Sequence, residues 1–170
     1  MKLRVNVAGA DAQAVRKLAL YYGRGAVAAE QIAQAASLPL DGQAQTPRKV
    51  VKALAGAPEI QWELWDLTFD MQPKQRQLLH PSAQALIMVC SHLDEANLWV
   101  TEFRAVHASA PIVLVLQAGA PGGSFTKFDT TSVVGTYYFD PSNGRGADEI
   151  FEAIACAVLS PQATKRCVVQ

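Results

Sequence analysis

Asp66 and Asp70 stand at the end of one apolar run. Paired carboxylates at such a place can divide general acid and general base work, although a loop spacing of four fixes no separation between them. His80, His92 and His107 lie far apart and on different elements, without the close spacing of metal ligands, and read as loop or helix-end residues. No GxSxG elbow and no Cys–His signature occurs. Cys90 and Cys156 sit in apolar runs and read as small core residues. No CxxC pair points to zinc, and three scattered cysteines fit a reducing compartment.

Cys167 is different. The final Cys167-Val168-Val169-Gln170 fits a prenylation signal, with the last Gln favouring farnesyl. Lys165 and Arg166 add little positive charge beside it, and one prenyl chain gives only marginal, reversible membrane binding. Ser160 to Arg166 reaches at most about 25 Å. An anchored domain would therefore lie close to the membrane, or a carrier or partner protein would hold the lipid. The plain alternative is an unmodified apolar end.

These residues need elements to position them. Leu3 to Ala8 reads as a strand, and Asp11 is a good N-cap for a helix over Ala12 to Tyr22. Ala28 to Ala36 suits a short helix. Arg48 to Leu54 and Glu59 to Trp65 read as adjacent strands joined by Ala-Gly-Ala-Pro. Trp62 and Trp65 have opposite parity on the second strand and so face opposite sides. Lys74 to Leu79 suits a short helix, and Ala85 to Cys90 and Pro111 to Leu116 are continuous apolar runs of strand length. Asp94 to His107 reads as a helix with Leu98, Val100, Phe103 and Val106 as its apolar positions. Gly119 to Thr130 reads as a loop, Val133 to Phe139 as a last strand, and Ala147 to Leu159 as a last helix with Ile150, Phe151, Ile154, Ala155 and Val158 facing in.

Buried strands alternating with helices imply right-handed crossovers and a doubly wound α/β sheet, mostly parallel, with one antiparallel edge strand from the early pair. Residues 1–160 form one domain and 161–170 a tail. Ligands in such sheets sit at the carboxyl ends of the strands, here after Ala8, Asp66, Leu116 and Phe139.

Composition narrows the function. The chain has 170 residues, 50% hydrophobic and 18% charged, which excludes a disordered polyelectrolyte. Lys plus Arg is 15 and Asp plus Glu is 15, so broad nucleic-acid binding is not expected. No apolar run approaches a membrane span, and Met1 to Gly9 enters a strand without room for a signal peptide. A cytoplasmic protein is expected.

The order of elements resembles a small GTPase of the Ras superfamily, over Leu3 to Leu159. Three pieces carry it: "WELWDLTFD" at 62–70, "WVTEFRAVHASAPIVLVL" at 99–116 and "GADEIFEAIACAVL" at 146–159. The resemblance implies a P-loop-like fold and a pocket for GTP or GDP with Mg2+. Its phosphate loop, GxxxxGK followed by Ser or Thr, falls at Gly9 to Arg16, where only Gly9 matches. Ala14 replaces the second glycine, Val15 the lysine, and Arg16 the magnesium-binding hydroxyl. Asp11 places a carboxylate beside the phosphate position. Lys17 is rotated away by about 200° along the helix. In the DxxG motif Asp66 remains, but Phe69 replaces the glycine, and Asp70 stands where a water-orienting glutamine is common. The guanine-reading aspartate becomes Ala120, and Asp140-Pro141-Ser142 does not match the last motif. Thr46 stands as the switch threonine.

Losing several charge-assisted contacts of about 1.5–3 kcal/mol each lowers nucleotide affinity by orders of magnitude. The resemblance therefore implies a pseudo-GTPase with vestigial pocket positions Gly9, Arg16, Lys17, Thr46 and Asp66. It would have no catalytic or metal residues, no cofactor and no turnover. It would act as a protein-interaction or scaffold subunit of a larger assembly, membrane- or cilium-associated. Leu67, Phe69 and Met71, with Leu40 nearby, are expected at a surface that binds partners, and Phe69 alternatively packs into the vacated pocket. The rival is a divergent GTP-binding switch in which Arg16 serves the phosphate. A third reading is an unrelated α/β enzyme with its site in the loop from Asp66 to Pro73.

Overall fold

The computed structural model describes residues 1–21, 48–52, 60–68, 72–91, 93–118 and 133–159. Strand β1 (Lys2–Gly9) leads into helix α1 (Ala12–Tyr21). Strands β2 (Arg48–Lys52) and β3 (Ile60–Thr68) follow, then helix α2 (Pro73–Leu79) with a 3-10 turn at His80–Ser82. Strand β4 (Ala85–Cys90), helix α3 (Leu93–Val106), strands β5 (Ile112–Gln117) and β6 (Gly135–Phe139) and helix α4 (Ala147–Leu159) complete the order. The expected short helix at 28–36, the loop at 119–130 and the tail at 161–170 with Cys167 lie outside the described residues, as do Leu40, Thr46, Phe69, Asp70, Met71, His92 and Ala120.

The chain is α/β. Six strands form one sheet in the order β2-β3-β1-β4-β5-β6. From β3 to β6 every neighbouring pair is parallel, and β2 runs antiparallel to β3 with Val50 opposite Trp62. All six residues of β4 are buried, which is why that strand reads as an unbroken apolar run.

Side-chain alternation divides the core into two layers. Leu3, Val5 and Val7 of β1 point to one face with Ile60, Trp62 and Leu64 of β3, and α1 and α4 cover them through Val15, Leu18, Ile150, Phe151 and Ile154. Ala8, Leu67, Leu86, Met88 and Leu114 point to the other face, covered by α3 through Ala96, Trp99 and Phe103. Trp62 meets Phe151 edge to face at 5.2 Å in the first layer, while Trp65 packs against the second, the opposite parity expected of them.

Three expectations about burial need correction. In α3, Leu98 and Val106 are exposed at 49% and 43%. The stripe that faces the sheet is Ala96, Trp99, Val100 and Phe103, with the i, i+3, i+4, i+7 spacing of one helix face. Cys156 is exposed, because it lies on α4 between Ala155 and Ala157 at a phase that points away from the sheet. Leu67 is fully buried beneath α3, because β3 continues to Thr68 and the expected loop begins later. It does not belong to an exposed binding surface.

Candidate functional site

The carboxyl ends of β1 and β3 meet where the connections after the two strands pass to opposite faces of the sheet, the place where doubly wound sheets bind ligands. Gly9 pairs with Thr68 on one side and with Val89 on the other. A Cβ at position 9 would collide with the Val89 carbonyl oxygen and crowd Val15. Gly9 is therefore demanded by strand packing.

Only Ala10 and Asp11 separate β1 from α1. The Asp11 carboxylate accepts hydrogen bonds from the amides of Gln13 (2.9 Å) and Ala14 (3.1 Å). These amides would otherwise lack partners at the helix end, and a negative cap there also opposes the helix dipole. Val15 is fully buried against Gly9, and Arg16 is buried at 7% exposure, whereas Lys17 is half-buried. The short connection leaves no loop to wrap an anion, and the helix-end donors already hold one that belongs to the chain. These residues do not fit a nucleoside phosphate. Asp66 lies on β3, opposite Val7 of β1.

After β6 the Asp140 carboxylate builds a tight turn. It accepts from the Ser142 amide (2.9 Å), the Ser142 hydroxyl (2.6 Å) and the Asn143 side-chain amide (2.7 Å). These donors hold its carboxyl below the usual carboxylate range. Gly144 and Gly146 take positive φ of 81° and 92°, which favours glycine. The Tyr21 hydroxyl donates to the Ser142 carbonyl at 3.2 Å, tying α1 to this turn. Burial, then the Asp140 charge, raises the Tyr21 pKa.

A second polar constellation lies on the other face. His80 is fully buried, and its Nδ1 stands 3.1 Å from Asn6 Nδ2 in the middle of β1. Its Nε2 lies 3.8 Å from Glu102 Oε2 on α3. Arg76 donates to both Glu102 oxygens, at 3.2 and 2.9 Å, and stacks 4.6 Å over Trp99. His107 Nε2 donates to the His80 carbonyl at 2.8 Å, and both imidazoles pack on Phe103. Two histidines read as separate thus share one cluster, and no local signal could show it, since Asn6 and His80 are 74 residues apart. A shallow groove lined by Pro81 to Gln84 and Val106 to Ala110 runs beside His107. Among the described residues, no three His, Cys, Asp or Glu side chains are grouped to hold a metal ion.

Comparison with protein-family models and with curated proteins finds no match. Among the described residues no helix is long and apolar enough to cross a membrane.

Proposed function

We propose that this chain is a non-catalytic, small-GTPase-like domain that works by binding proteins of a larger assembly. The observation that carries this reading is the Asp11 carboxylate seated on the first amides of α1, where a phosphate would have to sit. Support also comes from the sheet, with parallel strands around β1, an antiparallel strand at its edge and helices on both faces. With Val15 and Arg16 buried in α1, the short connection after Gly9 offers no lysine to neutralise a phosphate and no hydroxyl for magnesium. GTP hydrolysis is not its work, and no cofactor is needed. Phe69 and Met71 remain the proposed partner-binding residues. Cys167 remains the proposed lipid attachment point, which would bring the domain to a membrane.

The test is nucleotide content and affinity. Heat release from the purified protein should yield no stoichiometric GTP or GDP, and titration with labelled GTP and Mg2+ should show no saturation in the micromolar range. A magnesium-dependent micromolar affinity would overturn the reading in favour of the divergent switch.

A further inference from the structure

The ten residues of α2 and the following 3-10 turn, Pro73–Ser82, attach to the body in an unusual way. Their buried side chains are Arg76 and His80, a cation and a titratable ring. Leu78 is 79% exposed, and Leu79 only partly packs on the second core layer. Attachment therefore depends on the charge state of a polar cluster more than on apolar area.

We propose that Pro73–Ser82 is an acid-released latch, closed by neutral His80 and opened when that ring takes a proton. With Asn6 Nδ2 donating to Nδ1, the ring is a neutral imidazole whose remaining proton sits on Nε2, toward Glu102. A second proton on Nδ1 would face a donor. It would also place a positive charge in a fully buried position beside Arg76, which already engages both Glu102 oxygens. The groups facing the ring are Asn6 from β1, Arg76 from α2, Glu102 and Phe103 from α3, and His107 beyond it. Only Glu102 favours the imidazolium, and burial outweighs it, so the His80 pKa lies below its ordinary value. His107 keeps its bond to the His80 carbonyl whether neutral or protonated, since Nε2 donates in both forms.

The closed state thus loses ground as pH falls through the ordinary histidine value. An open segment that protonates at a pKa of about 6.5 gains population between pH 7.5 and pH 5.0 by up to about 30-fold, the limit reached when the closed ring takes no proton over that range. Opening uncovers the parts of Trp99 and Phe103 that Arg76 and His80 cover.

Amide exchange of the full chain, corrected for the intrinsic pH dependence of exchange, tests this. Protection of Pro73–Ser82 should fall between pH 7.5 and 5.0 by more than about threefold and up to about 30-fold, with β4 and β5 changing less than about threefold. His80→Gln should make the segment's protection independent of pH, and His107→Gln should leave the response intact. Equal loss in β4 and β5, no loss in the segment, or a response that disappears in His107→Gln would overturn the latch. Should His80→Gln not fold, NMR titration of the His80 ring in the unaltered chain decides. A ring that protonates while the segment keeps its protection is the overturning result.

Discussion

The two faces of the sheet are filled with different material. Under α1 and α4, β1 contributes Leu3, Val5 and Val7 to an apolar layer with Trp62 and Phe151 at its centre. On the opposite face the same strand contributes Asn6, and the layer beneath α2 and α3 admits His80, Arg76 and Glu102 beside Trp99 and Phe103. Apolar packing carries no titratable group, whereas a buried polar cluster holds only while each member keeps its charge and partner. One face supplies durable stability, and the other makes attachment conditional.

The comparison breaks most visibly at Trp62. Trp62→Ala removes a fully buried side chain and should lower unfolding free energy by about 3–5 kcal/mol. Urea denaturation should show the same loss at pH 5 and pH 7.5. A loss that varies with pH would mean that the two faces do not behave separately.

Glu102 sharpens the contrast. Glu102→Ala removes the carboxylate that accepts from Arg76 Nε and Nη2. Breaking a buried pair costs about 3–5 kcal/mol, and the 15% exposure of the Glu102 side chain should trim this to about 2–3. Arg76→Met combined with Glu102→Leu should recover most of it, since neither charge is then stranded. If the double variant is as unstable as the single one, packing and not charge pairing holds this face.

Asp11 bears on both stability and the pocket. Asp11→Ala removes a cap that satisfies two amides and should cost about 1 kcal/mol. It should not confer GTP binding, because Ala14 and Val15 remain. Thermal denaturation and a GTP titration of the same variant check both halves.

Much of this frame was legible from pattern. β4 and β5 were marked by continuous apolar runs, and α4 by Ile150, Phe151 and Ile154 at helical spacing. The helix cap at Asp11 and the opposite facing of Trp62 and Trp65 follow from local chemistry and strand parity. In α3, apolar residues occur at several phases, so periodicity alone cannot choose Trp99 over Leu98. Leu67 was misplaced because a strand end and a loop start share the same composition. The His80 cluster was invisible, since Asn6, Arg76, Glu102 and His107 come together only through the topology.

The smallest expected effect concerns Glu63, a buried acid on the same face of the sheet as Asn6 and His80 but held by its own cations. It sits on β3 beside β1, where Lys2 and Arg4 both contact its carboxylate, Arg4 at 2.7 Å. Hydrogen bonding from Lys2 outweighs burial, and with the charge of Arg4 it holds the carboxyl below the usual range. A depressed native pKa gives stability that is present above the unfolded value of about 4.3 and is lost as pH falls through the native value. His80 acts earlier in the same descent, as pH falls below about 6.5. Because the Lys2 side chain is 56% exposed, solvent and salt screen the pair. Glu63→Gln should therefore cost only about 0.5–1 kcal/mol at pH 7, with the gap closing below pH 4 and shrinking in high salt. The variant should retain the whole pH 7.5-to-5 response of Pro73–Ser82, since the partners of Glu63 are Lys2 and Arg4. Loss of that response in Glu63→Gln would show that acid acts through the β1–β3 pair and not through His80.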